Sequence, residues 1–470
     1  MPAQDGATNV NLDQLIATYP LPFTLLDYQK EDITTLLGLD HALVDLPVGA
    51  GKTVVATYVA LGHECDRILI TLPPILIAQW VRWIHSIPGA GKALGYAGSI
   101  KERGDMVLSD HRWVIASFAI LKNDYKRLSE WVSSGNRGAV VVDECQGLKN
   151  SSSKLFRGVR ELSLSNKTWL MTGTPMSSPM DAYAYIKIKT PNVYRNQGQF
   201  ERIHVEERDF FKQPTKWTNL ELMQQNLRLN SVYRDKSDVH KHLQSRTWPI
   251  YYQLSKPHMA LYERLMTEQL LLLDDGSKID ASTAQRLYNA AQQIIVGFDY
   301  FSGDEDARSN VYDLVDEICD EVAVQNTSSS KIIFWTWYKR TTESLTAYLQ
   351  NYGAVAAYSG SDSKKSVERF LEDPSCRILV AQPGSAGQGL NPQHVCWEAA
   401  FIESPTRTIP FVQACGRIAR QGQRYCANNR ILTALGTIQE TLFKNLIRND
   451  DLTTLASGNK SSIRAALFGG

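Results

Sequence analysis

Short apolar runs, each followed by a stretch of helical spacing, recur in two series along the chain. In the first series, residues 41–46, 67–72, 113–117, 139–142 and 168–171 read as strands, with helices over 53–62 and 75–87. The runs are apolar throughout rather than alternating, as expected of strands covered on both faces of a parallel sheet. Between about 180 and 330 the rhythm is lost, and helical patterns such as 259–273 and 282–295 take over. From 331 it resumes, with strands over 332–337, 355–358, 377–381 and 396–402, helices over 341–351 and 363–370, and a later helix carrying Arg417 and Arg420. This pattern predicts an α/β fold of two tandem parallel-sheet lobes with helical insertions between them.

Ligands of such sheets gather at the carboxyl ends of the strands, and the candidate chemistry sits there. The first strand runs into Asp45-Leu46-Pro47-Val48-Gly49-Ala50-Gly51-Lys52-Thr53. Glycines in such a turn let consecutive backbone N–H groups face a phosphate, and the helix behind adds its dipole. Leu46 stands where the full phosphate-loop pattern has its first glycine, so an ordinary strand-to-helix turn is the plainer alternative for this segment alone. A second feature narrows the choice: the run Ala139-Val140-Val141-Val142 ends in Asp143 and Glu144. Two adjacent acids on a buried strand are costly unless a cation or hydrogen bonds compensate them. Asp143 would orient magnesium and Glu144 would polarise the attacking water in phosphoryl transfer. The turn Thr172-Gly173-Thr174 also follows a strand, so one pocket can collect it with Lys52 and Asp143. The second series has no such lysine, but arginines supplied across a cleft stabilise a transferring phosphoryl group. For Arg417 or Arg420 taken singly, a surface arginine is the simpler reading.

Composition bounds these readings. The 470 residues suit two domains of about 200 each. No run of eighteen apolar residues and no leader-like N-terminus occurs, so a soluble, cytoplasmic protein without a membrane partner is expected. Seven cysteines without a C-x-x-C pair argue against zinc ligation or a disulfide framework. The net charge of +1 means that a polyanionic partner would need a local patch. Residues 181–250 offer a mixture of twelve Lys/Arg and eight Asp/Glu interleaved with aromatics such as Tyr185, Tyr194, Phe210, Phe211 and Trp217. It suits stacking on a nucleic acid or a solvated face over an aromatic core equally well.

The order of these blocks resembles the superfamily-two helicases, and within them the Swi/Snf-like branch of double-stranded DNA translocases, over residues 20–435. Asp27-Tyr28-Gln29 resembles the adenine-reading Gln motif, and residues 47–53 resemble motif I. Thr71-Leu72-Pro73-Pro74 with Gln79-Trp80 is similar to motif Ia, and Ser117 falls where motif Ib contacts a phosphate. The segment 143–150 looks like motif II with its Leu-Lys-Asn extension, and 170–175 like motif III. Residues 386–391 resemble motif V and 413–423 motif VI. Two departures stand out. Gln146 replaces the histidine usual in motif II, and Glu403-Ser404-Pro405-Thr406 replaces the Trp-Asn-Pro usual before motif VI.

The resemblance implies two RecA-like lobes, over 21–250 with a helical insertion at 180–235 and over 331–440. A 1–20 extension, a helical 251–330 segment and a 441–470 tail complete the chain. It implies ATP bound by Gln29, Gly49, Ala50, Gly51, Lys52, Thr53, Gly389 and Asn391, with Mg2+ on Thr53 and Asp143. Glu144 would act with Lys52, Arg417 and Arg420 in hydrolysis. DNA, duplex or branched, would meet Thr71, Pro73, Pro74, Gln79, Ser117, Thr336, Ala386 and Gly387. Gln146, Thr172, Gly173, Thr174 and Gln413 would couple the two sites. The expected protein is a minimal DNA motor of bacterial or phage type, working on forks or junctions in replication, recombination or repair. A motor subunit awaiting a protein partner and an RNA helicase remain open alternatives.

Overall fold

The computed structural model describes residues 11–447 except 175, 211, 213, 240–243, 269, 273–277, 281–283, 303–306, 326–330, 353, 359–362, 384–389, 406–407, 421 and 445. The chain divides near residue 241 into two compact units. The first is built on β1 (His41–Asp45), β2 (Arg67–Leu72), β3 (Ala93–Tyr96), β4 (Trp113–Ser117), β5 (Gly138–Asp143) and β6 (Lys167–Thr172). A short antiparallel hairpin of β7 (Val205–Arg208) and β8 (Pro214–Trp217) follows, and then β9 (Ser231–Tyr233). The sheet runs β3-β4-β2-β5-β6-β1-β9, with every pairing parallel.

The unbroken apolar runs are explained by two cores. Along β5, Ala139 and Val141 enter one core with Tyr58 and Trp80, while Val140 and Val142 enter the opposite one with Phe156 and Tyr185. A strand that feeds both faces has no polar side to display. Helix Lys52–Gly62, behind the first strand, is buried almost all round, from Val54 through Gly62. That helix is therefore a core element rather than a surface one.

The stretch expected as a helical insertion, 180–235, holds helices Asp181–Lys189, Gln197–His204 and Leu220–Arg228, but also the β7–β8 hairpin and β9. β9 extends the sheet by pairing with β1, so the insertion returns to the lobe that it leaves. Several of its rings and two of its lysines are internal, while Arg195, Arg202, Arg208, Lys212 and Lys216 are exposed. Tyr185 and Tyr194 are buried, and the Lys187 ammonium donates to the carbonyls of Pro191, Tyr194 and Arg195. Phe210 is exposed, and Phe211 lies outside the described residues.

The second unit holds β10 (Ser245–Tyr252), the hairpin β11 (Leu270–Leu272) and β12 (Lys278–Asp280), then β13 (Lys331–Trp335), β14 (Ala354–Tyr358), β15 (Cys376–Ala381), β16 (Cys396–Phe401) and β17 (Ala427–Ala434). Its six-stranded sheet runs β10-β17-β16-β13-β15-β14, again all parallel. The expected boundary at 250 falls inside β10, which pairs along its whole length with β17. The helix expected over 259–273 is Lys256–Glu268, because the leucines beyond it enter β11. Among the described residues no helix is long and apolar enough to cross a membrane.

Candidate nucleotide site

β1 ends at Asp45, and the chain turns through Gly49 at φ 85° and Gly51 at φ 81° before helix Lys52–Gly62 begins. Both values lie in the left-handed region that glycine enters without strain. At Gly51 there is a second requirement, since a Cβ would stand 2.3 Å from the Gln29 amide nitrogen. Gln29 and Tyr28 both donate to the Ala50 carbonyl, at 3.1 and 2.9 Å, and Gln29 Oε1 accepts the Leu26 N–H. The side chain expected to read adenine thus also braces the loop. The Lys52 ammonium donates to the carbonyls of Leu46 and Pro47 at 3.0 and 3.2 Å. Gly173 lies across the same loop: a Cβ there would be 3.0 Å from Leu46 O and 3.1 Å from Lys52 Nζ.

At the end of β5, Asp143 is buried, and each of its oxygens holds a donor: Glu144 N–H on Oδ1 and the Trp80 indole N–H on Oδ2, both at 2.9 Å. Burial pushes this carboxyl up and Glu144 adds to the shift, while the indole and Lys52 oppose it. Glu144 sits at φ 53°, a left-handed conformation uncommon for a side chain of its size. Its Oε2 accepts from Gln146 Nε2 at 2.7 Å, Gln146 Oε1 accepts from the Thr172 hydroxyl at 3.0 Å, and that hydroxyl accepts the Thr174 N–H at 3.0 Å. The four expected coupling residues of this unit therefore converge, with an amide carrying the connection. Such a chain of aligned donors polarises along its length.

Asp45, fully buried at the foot of the loop, is pushed up to about 7 by burial, against the pull of Arg228 and Lys52. Arg228 approaches it to 3.9 Å while its guanidinium lies 3.5 Å over the Tyr233 ring.

The remaining candidates divide by exposure. Pro74 and Gln79 are exposed and Pro73 is half-buried, on the edge leading into helix Ile77–His85. Thr71 and Thr336 are fully buried in or against strands, and the buried Ser117 hydroxyl caps helix Phe118–Asn123 through the Ile120 N–H. All three side chains are covered, as strand ends in a two-layered core are, and the Thr71 hydroxyl has no hydrogen bond. Ala386, Gly387 and Gly389 lie outside the described residues. In the second unit, Gln413 and Arg417 are buried on helix Thr408–Ile418. Arg420 falls just past that helix rather than on it; its Nε donates to the Gly416 carbonyl at 2.9 Å, capping the helix end, and its guanidinium reaches Asn391. Trp80 was missed as a site residue because its partner is far off in sequence.

The family model of the SNF2-related domain matches residues 26–294, more than half of the chain. The chain belongs to the SNF2-related family. The uncharacterized ATP-dependent helicase YqhH of Bacillus subtilis is 24% identical over 457 residues, covering 91% of this chain and 77% of that protein. An ATP-dependent helicase of Mycoplasma genitalium is 27% identical over 261 residues, covering 52% of this chain and 24% of that one, so the match spans about a quarter of that relative's length. The Hef helicase domain of Pyrococcus furiosus aligns with 89% of this chain and 97% of its own at a TM-score of 0.52 and 16% identity. The fold of this SNF2-related chain is thus that of tandem RecA-like lobes.

The site suits a magnesium nucleotide. A hydroxyl at Thr53 and a carboxylate at Asp143 are hard oxygen donors, and the left-handed glycine loop beside them can turn backbone N–H groups toward phosphates, the combination that magnesium shares with a bound polyphosphate. Among the described residues no cluster of three His, Cys, Asp or Glu offers an all-protein metal cage, which magnesium does not need.

Proposed function

We propose that the chain is an ATP-driven motor on double-stranded DNA that remodels forks or junctions in the cytoplasm of a bacterium or a phage-infected host. The observation that carries the ATPase reading is the convergence at the carboxyl ends of β1, β5 and β6: the left-handed loop, the Asp143–Glu144 pair and the Gln146–Thr172–Thr174 chain. Lys52 would exchange the carbonyls of Leu46 and Pro47 for phosphate oxygens, and the loop N–H groups would cradle the remainder. Thr53 and Asp143 would hold magnesium, which when bound neutralises charge on the phosphates and orients them for in-line attack. Glu144 would hold and polarise water, its orientation fixed by the Gln146 amide. Support for DNA as the track comes from the Leu-Lys-Asn and Thr-Gly-Thr-Pro resemblances, from the relatives named as helicases, and from exposed Pro74 and Gln79 beside the nucleotide site.

The test is steady-state ATP hydrolysis by the wild type and Glu144→Gln with no polymer, linear duplex, single strand, structured RNA and a four-way junction. Stimulation by duplex or junction, lost by a factor on the order of 10² or more in the variant, is expected. Stimulation by RNA alone would replace the DNA reading, and stimulation by no polymer would mean that a protein partner is needed.

A further inference from the structure

Helix Ile77–His85 follows the exposed Pro74 directly and carries exposed Gln79 on its outer edge. On its inner edge it presents two indoles one turn apart. Trp80 Nε1 donates to Asp143 Oδ2 at 2.9 Å. Trp83 Nε1 donates to Thr57 Oγ1 at 3.0 Å, and the Thr57 hydroxyl in turn donates to the Thr53 carbonyl at 2.7 Å. The two residues that would hold magnesium are therefore both connected to this one helix, Asp143 at its carboxylate and Thr53 at its backbone carbonyl through Thr57.

An indole N–H is a donor with no acceptor function, and Trp80 is only 2% exposed, so water cannot take over its bond if the ring shifts. The same bond that satisfies the ring fixes the angle of the carboxylate. Residues 74–79 and Asp143 are separated by more than sixty positions in the chain, yet a movement of the helix of even a fraction of an ångström must lengthen or bend this bond.

We propose that Trp80 is a positioning residue for Asp143, with Trp83 in a lesser role through Thr57, and that through them helix Ile77–His85 conveys contact at its outer edge to the magnesium pair. This rests on the nucleotide reading of the site, and its second half on the DNA reading. The ordinary role of a buried tryptophan, filling a core while its N–H finds some acceptor, is the competing explanation. That role affects stability but not the response to magnesium.

The test uses the full chain and Trp80→Phe, which removes the donor and keeps a ring. Binding of a fluorescent ADP is measured against free magnesium without nucleic acid. The half-saturating magnesium concentration is expected to rise about tenfold, from the loss of one hydrogen bond to a charged group, while metal-free ADP binding stays as in the wild type. Trp83→Phe should shift it about twofold. A wild-type magnesium curve in Trp80→Phe, whatever its melting temperature, overturns the proposal. With DNA present, Trp80→Phe should lose more of the stimulated rate than of the basal one. If the wild type shows no polymer stimulation, DNA alone does not drive the motor and a protein partner is needed, while the magnesium result still decides the positioning role. Should Trp80→Phe fail to fold, the unaltered protein is labelled with 15N at its indoles: magnesium added to the ADP complex should move the resonance that Asp143→Asn displaces, and no movement of that resonance overturns the proposal.

Discussion

The two parallel sheets are built alike, and the turns that open them are not. In the first, β1 passes into a loop with two left-handed glycines and a lysine at the start of the next helix. In the second, β13 passes through Thr336, Trp337 and Tyr338, with Tyr338 extended at φ −111°, straight into helix Lys339–Tyr348. Both also bury a carboxylate at the end of a strand. Asp143 is held by an indole and an N–H, beside the cation of Lys52. Glu403, just after β16, is held by the Trp337 N–H and Thr341, its Oε1 without a hydrogen bond, and is pushed up to about 7 by burial. The shared scaffold supplies a crevice at the strand ends, and the residues of one turn decide whether that crevice can take a phosphate.

The most direct way to erase the difference is Gly51→Ala. A side chain at φ 81° is strained by about 1–3 kcal/mol, and here it also displaces Gln29 from the loop. ATP affinity is expected to fall roughly a hundredfold, read by a fluorescent-nucleotide titration, with the melting of the second unit unchanged. An alanine variant that binds as well as the wild type would mean that the left-handed turn is not what separates the two lobes.

Glu403→Gln sharpens the comparison from the other side. The folded value of about 7 lies above the ordinary 4.5 of a glutamate, so between those values the native state keeps a proton that the unfolded chain has released. The stability from this group is full below pH 4.5, declines as pH rises through that window, and is gone above 7. A neutral amide removes that decline of about 3 kcal/mol, but its NH2 then needs a partner of its own at a cost of about 1 kcal/mol at every pH, so a gain of about 2 kcal/mol at pH 8 and a loss of about 1 kcal/mol at pH 4.5 are expected. Urea unfolding at the two pH values checks it. Nucleotide affinity should not move, and if it does, the buried acid of the second unit is not the purely structural counterpart described here.

The smallest effect is expected from Gln146→Ala, which cuts the chain between Glu144 and Thr172 and leaves the loop intact. Nucleotide binding should persist while the ratio of polymer-stimulated to basal hydrolysis falls by about three- to tenfold, near 1 kcal/mol. An unchanged ratio would show that the amide is packing only.

Much of this was visible in the chain itself. The strands that position the loop, Asp143 and Thr172 lie in unbroken apolar runs because both faces of each are covered, and the residues of the loop and of 143–174 sit where their types and spacing place them. What escaped were features that a local pattern cannot hold. β17 contains Asn428, Asn429 and Arg430, a polar string that reads as a loop until Arg430 is seen paired with Glu398 in the interior and with Glu321 at the surface. β9 is three residues long and gains its identity only from lying against β1. Trp80 stands beside Gln79 in the motif Ia resemblance, but nothing local shows that its indole reaches Asp143, sixty-three positions on.

The Lys52 ammonium, resting on two carbonyls of its own loop, bears on which molecules this loop would accept. An anion arriving there would have to displace those contacts before it engaged the lysine. A longer polyphosphate can engage the lysine, the backbone N–H groups and the helix end together. In the nucleotide reading, a polyphosphate that makes all of these contacts would therefore displace the lysine from its carbonyls more readily than a lone phosphate.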